Sequence, residues 1–306
     1  MMAGKRIFTF STISAFHEFR GFPKPEHPLI SVIDVAPIKD IHMEEPVSIV
    51  FNFYLISMKK GYNVKMKYGQ QEYDFDEGVM SFMAPGQVFS IEPLSKEINQ
   101  SGWVLLIHPD FLWNTPLAKK IRQYQYFDYA VNEALFLSEK EELTVSAIVE
   151  NIKREYHTNI DQFSQEIILA QLESLLAYAE RFYQRQFITR KISNHHILEK
   201  LEALLTDYFN SDELVKKGLP SVKYISTALN VSANYLSNLL KTLTGKSTQQ
   251  HIQDKLIEKA KEQLSTTDLS VSEIAYGLGF DYPQSFSKLF KAKTQLSPLE
   301  FRNSFN

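Results

Sequence analysis

Two segments towards the end of this 306-residue chain carry one pattern written twice. ISTALNVSANYLSNLLK runs from Ile225 to Lys241, and IAYGLGFDYPQSFSKLFK from Ile274 to Lys291. Ile225 recurs as Ile274 and Leu229 as Leu278, 49 positions on, whereas Ser237 recurs as Ser287 and Lys241 as Lys291, 50 positions on. One additional residue therefore falls in the second turn, and the helices on either side keep their phase. Each copy reads as short helix, tight turn, second helix, which is the helix-turn-helix pattern. Two in tandem imply one chain reaching two neighbouring major grooves of double-stranded DNA.

The second helix of each copy has two faces. Leu236, Leu239 and Leu240 in the first, and Phe286, Leu289 and Phe290 in the second, form the stripe expected to be buried. The opposite face carries Asn234, Ser237, Asn238 and Lys241 in the first copy and Gln284, Ser285, Lys288 and Lys291 in the second. Asn and Gln bond bidentately to adenine, Lys favours guanine or phosphate, and Ser reaches either. Lys241, Lys291, Lys293 and Arg302, with Ser237 and Ser285, are the expected phosphate contacts, which position without specifying.

Capping signals frame the copies. Ser270 with Glu273 and Ser297 with Glu300 read as capping boxes, with Pro298 at a first helical position. Ser232 and Asp281 are the expected caps of the two second helices, and Gly279 suits a left-handed helix end. A long helix from about Gln249 to Leu264 joins the copies.

Upstream, the period changes. From about Val47 to Ile107, apolar residues alternate with polar ones between turns: Val64, Met66 and Tyr68, then Tyr73 and Phe75, then Met80 and Phe82, then Phe89 and Ile91. Short strands at regular spacing predict a small barrel or sandwich. Glu139–Tyr156 and Phe163–Phe187 read as helices, and a polar stretch leads to a further helix beginning near His196. The expected domains are thus 1–187, a linker at 188–195, and 196–306.

Composition narrows the chemistry. The chain has no cysteine, which excludes disulfides, thiolate metal sites and a cysteine nucleophile, and suits a reducing compartment such as the cytoplasm. No apolar run approaches the roughly 18 residues that argue for a membrane span, and the start of the chain lacks a small-residue cleavage site. The net charge of −3 is unevenly spread, with an excess of basic residues after Leu219, in keeping with DNA contact by the C-terminal part alone. No phosphate-binding glycine loop, serine elbow or paired carboxylates point to an enzyme.

The strings VSANYLSNLLKTLTGKS, KLIEKAKEQL and VSEIAYGLGFDYPQSFSKLFKAKTQLSPLEFR resemble the DNA-binding domain of the AraC/XylS family of bacterial transcription regulators. In the last string Ile274-Ala275, Gly279-Phe280, Phe286-Ser287, Phe290-Lys291, Ser297-Pro298 and Phe301-Arg302 carry the resemblance together. It implies base contacts from Asn234 and Asn238 in the first copy and Gln284 and Lys288 in the second. Asn238 stands where many members have Arg, Lys255 where Arg is usual, and Gln295 where Gly is common at a left-handed turn.

The N-terminal part, with its phrase EGVMSFMAPGQVFSI, resembles the family's cupin-like effector and dimerisation domain. No histidine lies between Gly61 and Ser101, where metal-holding cupins carry their ligands, so neither a metal nor another cofactor is expected. Phe51, Phe53, Phe82, Phe89 and Trp103 are candidate lining for a small-molecule effector, with ordinary core the competing reading. Leu172, Leu175, Leu176, Ala179 and Phe182 are a candidate homodimer stripe, or else pack on their own barrel. The expected architecture is α+β: a cupin-like β-barrel with added helices, then an all-α domain with two helix-turn-helix motifs. The function it implies is a regulator, an activator engaging RNA polymerase, and not an enzyme. The alternatives are a non-metal cupin-like binding or enzymatic barrel with a helical appendage, and a pure interaction protein.

Overall fold

A computed structural model describes residues 7–38, 47–60, 78–91, 101–129, 133–157, 163–189 and 191–304, and the chain divides into two compact units, Met1–Gln186 and Phe187–Asn306. The first unit is built on two sheets. β1 (Ile7–Phe10), β3 (Val47–Phe51) and β6 (Val88–Ile91) form a three-stranded sheet in the order β1-β3-β6. β2 (Ile30–Asp34), β4 (Tyr54–Lys60), β5 (Gly78–Met83), β7 (Ser101–Ile107) and β8 (Leu135–Leu137) form a five-stranded sheet in the order β2-β7-β4-β5-β8. Every pairing is antiparallel except β1 with β3. The chain changes sheet at Asn52-Phe53, where Asn52 N–H donates to the Phe10 carbonyl at 2.9 Å and Phe53 is fully buried.

The period-2 alternation gives the larger sheet two apolar faces. Ile33, Leu55, Met83, Val104 and Leu106 pack with Phe10, Ile49, Phe51 and Phe53, and with Ile13 and Phe16 from α1 (Ile13–Arg20). On the other face Ile56 lies between Phe82 and Leu105 in register. There Phe82 meets the Tyr126 ring at 4.6 Å and the Tyr183 ring at 6.2 Å. After a short helix, α2 (Pro116–Lys120), come α3 (Glu139–His157) and α4 (Ser164–Thr189). Trp103 Nε1 donates to Ser146 on α3 at 3.3 Å, and Gln186 on α4 holds β8 by accepting from Phe136 N–H at 2.8 Å and donating to the Ala134 carbonyl at 3.2 Å. Buried Glu142 accepts from Gly78 N–H at 2.7 Å and pairs with Lys60. A Cβ at position 78 would fall on that carboxylate, so the strand starts at glycine for want of room.

The described residues form two sheets and no closed barrel. The alternations at 64–68 and 73–76 lie outside the described residues. α3 and α4 match the helices expected at 139–156 and 163–187. Within the expected linker at 188–195, α4 continues to Thr189 and α5 begins at Lys191. No Gly or Pro occurs between Gln184 and His196, and Gln, Arg and Lys are good helix formers, so a polar composition there is compatible with the end of α4 and the start of α5. The proposed dimer stripe is also reassigned. Leu172, Leu175, Leu176, Ala179 and Phe182 are all buried within the first unit, because this side of α4 closes its own core.

The second unit is all helix: α5 (Lys191–Asn210), α6 (Glu213–Lys217), α7 (Val222–Ala228), α8 (Ala233–Thr244), α9 (Thr248–Thr266), α10 (Val271–Gly277), α11 (Pro283–Thr294) and α12 (Pro298–Asn303). One core runs through it, from Leu201, Leu205 and Phe209 of α5, through Leu236 and Leu240, to Ile274, Phe286 and Phe290. α9 supplies its centre with Ile252, Leu256, Ile257, Ala260 and Leu264 at helical spacing.

Candidate nucleic-acid interface

The repeat is visible in the backbone. α7 and α10 are capped by Ser221 and Ser270, and each ends at a turn through a left-handed residue, Asn230 at φ 55° and Gly279 at φ 80°. α8 and α11 each end in a left-handed residue, Gly245 at φ 75° and Gln295 at φ 66°. Ser247 and Ser297 then cap α9 and α12, both in full capping boxes. The Ser247 box, closed by Gln250, follows the same S-x-x-E/Q signal and was legible in the sequence. The additional residue of the second copy falls between Gly279 and Tyr282.

The turns tolerate little. At Gly279 a Cβ would lie 2.6 Å from the Leu214 carbonyl oxygen and 2.8 Å from Gly218 Cα, so glycine is needed for room as well as for its φ. The second turn departs from expectation at its far end. α11 is preceded by Tyr282, which makes no side-chain cap bond, and Pro283 occupies the first turn; Asp281 is not the cap. The inserted residue moves Asp281 one position too early. In the first copy Ser232 accepts from Tyr235 N–H at 3.2 Å as expected.

The buried stripes are as read: Leu236, Leu239, Leu240, Phe286 and Phe290 are fully buried and Leu289 partly so. The outward faces differ between copies. Lys241 is exposed while Asn234, Ser237 and Asn238 are half-buried; Gln284, Ser285, Lys288 and Lys291 are all exposed. Ser237 shares a 3.1 Å hydrogen bond with the buried Thr248, which commits its hydroxyl to the junction of α8 with α9.

Two further expected phosphate contacts have partners within the unit. Arg302 donates from Nε to the Leu264 carbonyl at 3.2 Å and from Nη2 to the Leu269 carbonyl at 2.6 Å, strapping α12 to the end of α9 and the approach to α10. Carbonyls at a helix end lack intrahelical partners and attract a cation, which is why the guanidinium turns inward. Lys293 lies 3.1 Å from Asp254 on α9, whose other oxygen is 2.7 Å from Lys246. Partial burial pushes the Asp254 carboxyl up, but the hydrogen bonds from Lys246 and Lys293 outweigh this and hold it below the usual range.

The candidate effector residues do not converge. Phe51 and Phe53 lie in the core between the sheets, whereas Phe82 and Trp103 are on the opposite face of the larger sheet. The side chain of Phe89 lies outside the described residues. Among the described residues no group of three His, Asp or Glu could hold a metal, and no helix is long and apolar enough to cross a membrane.

Residues 225–304 match the family model described as a helix-turn-helix domain. The second unit carries an AraC-type helix-turn-helix domain. The chain is similar to the raffinose operon transcriptional regulatory protein RafR of Pediococcus pentosaceus, with 40% identity over 76 residues, 25% of this chain and 27% of that protein. It is similar to the HTH-type transcriptional activator RhaS of Enterobacter sp. (strain 638), with 31% identity over 140 residues, 45% of each chain. A solved C-terminal domain of the two-component response regulator yesN from Fusobacterium nucleatum shares 31% identity, covering 33% of this chain and 96% of that one at a TM-score of 0.29. The chain spans at most 43% of the length of the first three curated relatives it matches. The AraC-type domain includes both copies of the repeat, α9 between them, and the Arg302 strap.

Proposed function

We propose that this protein is a sequence-specific DNA-binding transcription regulator that reads two successive major-groove segments with α8 and α11. The observation that carries this reading is the doubled backbone frame, with polar side chains on the outward faces of both second helices and one shared core beneath them. Gln284 and Lys288 read bases in the second segment, and Asn234 and Asn238 in the first. Lys241, Ser285 and Lys291 contact phosphates. Because the reading residues differ between copies, the site recognised by one chain is asymmetric.

The residues up to 187 act as a cupin-like control domain, joined through 188–195 to a reading domain at 196–306. The change of sheet between β3 and β4 supports the cupin-like assignment. An activator role, with RNA polymerase as partner, is favoured by similarity to a relative named as an activator. The protein works in the cytoplasm, where a bacterial operator is found. A homodimer would use the outward side of α4, where Ile167 and Tyr178 are exposed. A small-molecule effector would enter on one side of the larger sheet, since the aromatic residues do not share one space.

Selection of bound sites from random DNA, followed by gel shift at fixed salt, tests the reading. Lys288→Ala is expected to weaken binding to the selected site by about 1–3 kcal/mol. Unchanged affinity would remove α11 from the interface.

A further inference from the structure

We infer that Tyr282 is a specificity-determining residue, its ring set against the C5 methyl group of a thymine at the start of the second half-site. This rests on the DNA-reading function proposed above and adds a residue that neither the repeat nor the resemblance singles out.

Position 282 gives up local stability. Its counterpart in the first copy is Ser232, whose hydroxyl caps α8. Tyr282 stands at the same place before α11 and makes no cap bond. Replacing a good cap by a residue without one costs about 1 kcal/mol. The ring is also 71% exposed, and its side chain makes no hydrogen bond or ring contact among the described residues. A large aromatic left mostly in water at the head of a helix, in place of a serine that would have capped it, adds little to the fold. Departures of this kind from local consistency mark functional positions.

The ring is well placed for bases. The backbone of Tyr282 is extended, with φ −131° and ψ 119°, a conformation that Pro283 enforces on the residue before it, so the Cα–Cβ bond leaves in a defined direction. Gln284 and Lys288 are exposed on the turns just beyond. The first residues of a recognition helix are those that come nearest base edges, and an apolar ring reads the thymine methyl. Exposed Asp281, the residue before it, disfavours a phosphate contact at this point.

The test compares the full-length protein with Tyr282→Ser and Tyr282→Phe in site selection from random DNA, in gel shifts on the selected sites, and in thermal unfolding. The wild type and Tyr282→Phe should enrich thymine at one position of the second half-site, with a preference of about tenfold. Tyr282→Ser should lose that preference alone, keep the others, and melt at a higher temperature because serine restores the cap. An unchanged base preference in Tyr282→Ser overturns the inference. A loss of affinity equal across all sequences, shared by Tyr282→Phe, also overturns it and assigns the phenol to a phosphate. Failure of the wild type to enrich any sequence overturns the DNA-reading function and this inference with it.

Discussion

Gln295 is a left-handed residue with a side chain, at φ 66°, in the place where the first copy has Gly245. A non-glycine residue there carries backbone strain, and the weak 3.4 Å bond from its side chain to the Ala292 carbonyl returns little. Gln295→Gly should therefore stabilise the protein by about 0.5–1 kcal/mol, read as a higher melting temperature. A lower melting temperature would mean that the glutamine side chain matters more than the strain. This position was legible in advance, because the resemblance marked it as a glycine site. Tyr282 was not. A sequence places Asp281 and Pro283 around it and offers Asp281 as the better cap, and only the backbone shows that the inserted residue displaces the aspartate from that role. The intramolecular partners of Arg302 and Lys293 were hidden for a related reason: a basic residue on a DNA-binding domain suggests phosphate, and nothing in the order of residues reveals a carbonyl or a carboxylate 33 to 39 positions away.

The helices of the reading unit are positioned by pieces that break the repeat. Asp254 joins the turn after α8 to the end of α11 through Lys246 and Lys293, and none of the three has a like residue in the other copy. Exposed ion pairs of this type contribute little each, but the shared carboxylate ties both reading helices to α9. Arg302 acts at the other end, where two carbonyls depend on one half-buried guanidinium. Arg302→Ala should lower the stability of the protein by about 1–3 kcal/mol, because charge-assisted bonds to buried or half-buried groups are lost. The slope of DNA affinity against salt should stay as in the wild type, since no phosphate contact is removed. A slope reduced by about one unit would return Arg302 to the phosphates. At this scale the caps were the most readable feature: Ser232, Ser270 and Ser297, read from the sequence, each accept the backbone N–H three residues on, as do Ser221 and Ser247. The linker was the least readable, because polar helix and polar loop share a composition.

At the scale of the molecule, the two units differ in how far along the chain their partners lie. The helical period and the doubled motif made the second unit readable almost residue by residue. The first was readable as the short strands of a barrel or sandwich but not in its strand order, because alternation shows which residues share a face and not which strands share an edge. That difference carries over from space into time. In the second unit α7 packs on α8, α8 on α9 and α10 on α11, with α5 on α9 and α6 on α10 its longer steps, whereas in the first Asp34 pairs with Trp103 and Phe82 finds Tyr183, farther along the chain. Contacts closing long loops form slowly. Both tryptophans, Trp103 and Trp113, belong to the first unit, so their fluorescence follows that unit alone. In refolding from denaturant, tryptophan fluorescence should recover more slowly than helical circular dichroism, and coincident recovery would contradict this. During synthesis the same order holds: β2 leaves the ribosome long before β7, and its apolar edge has no partner until that strand is made. The pairing of Asp34 with Trp103 thus sets an interval in which the nascent chain is most exposed to chaperones and to aggregation.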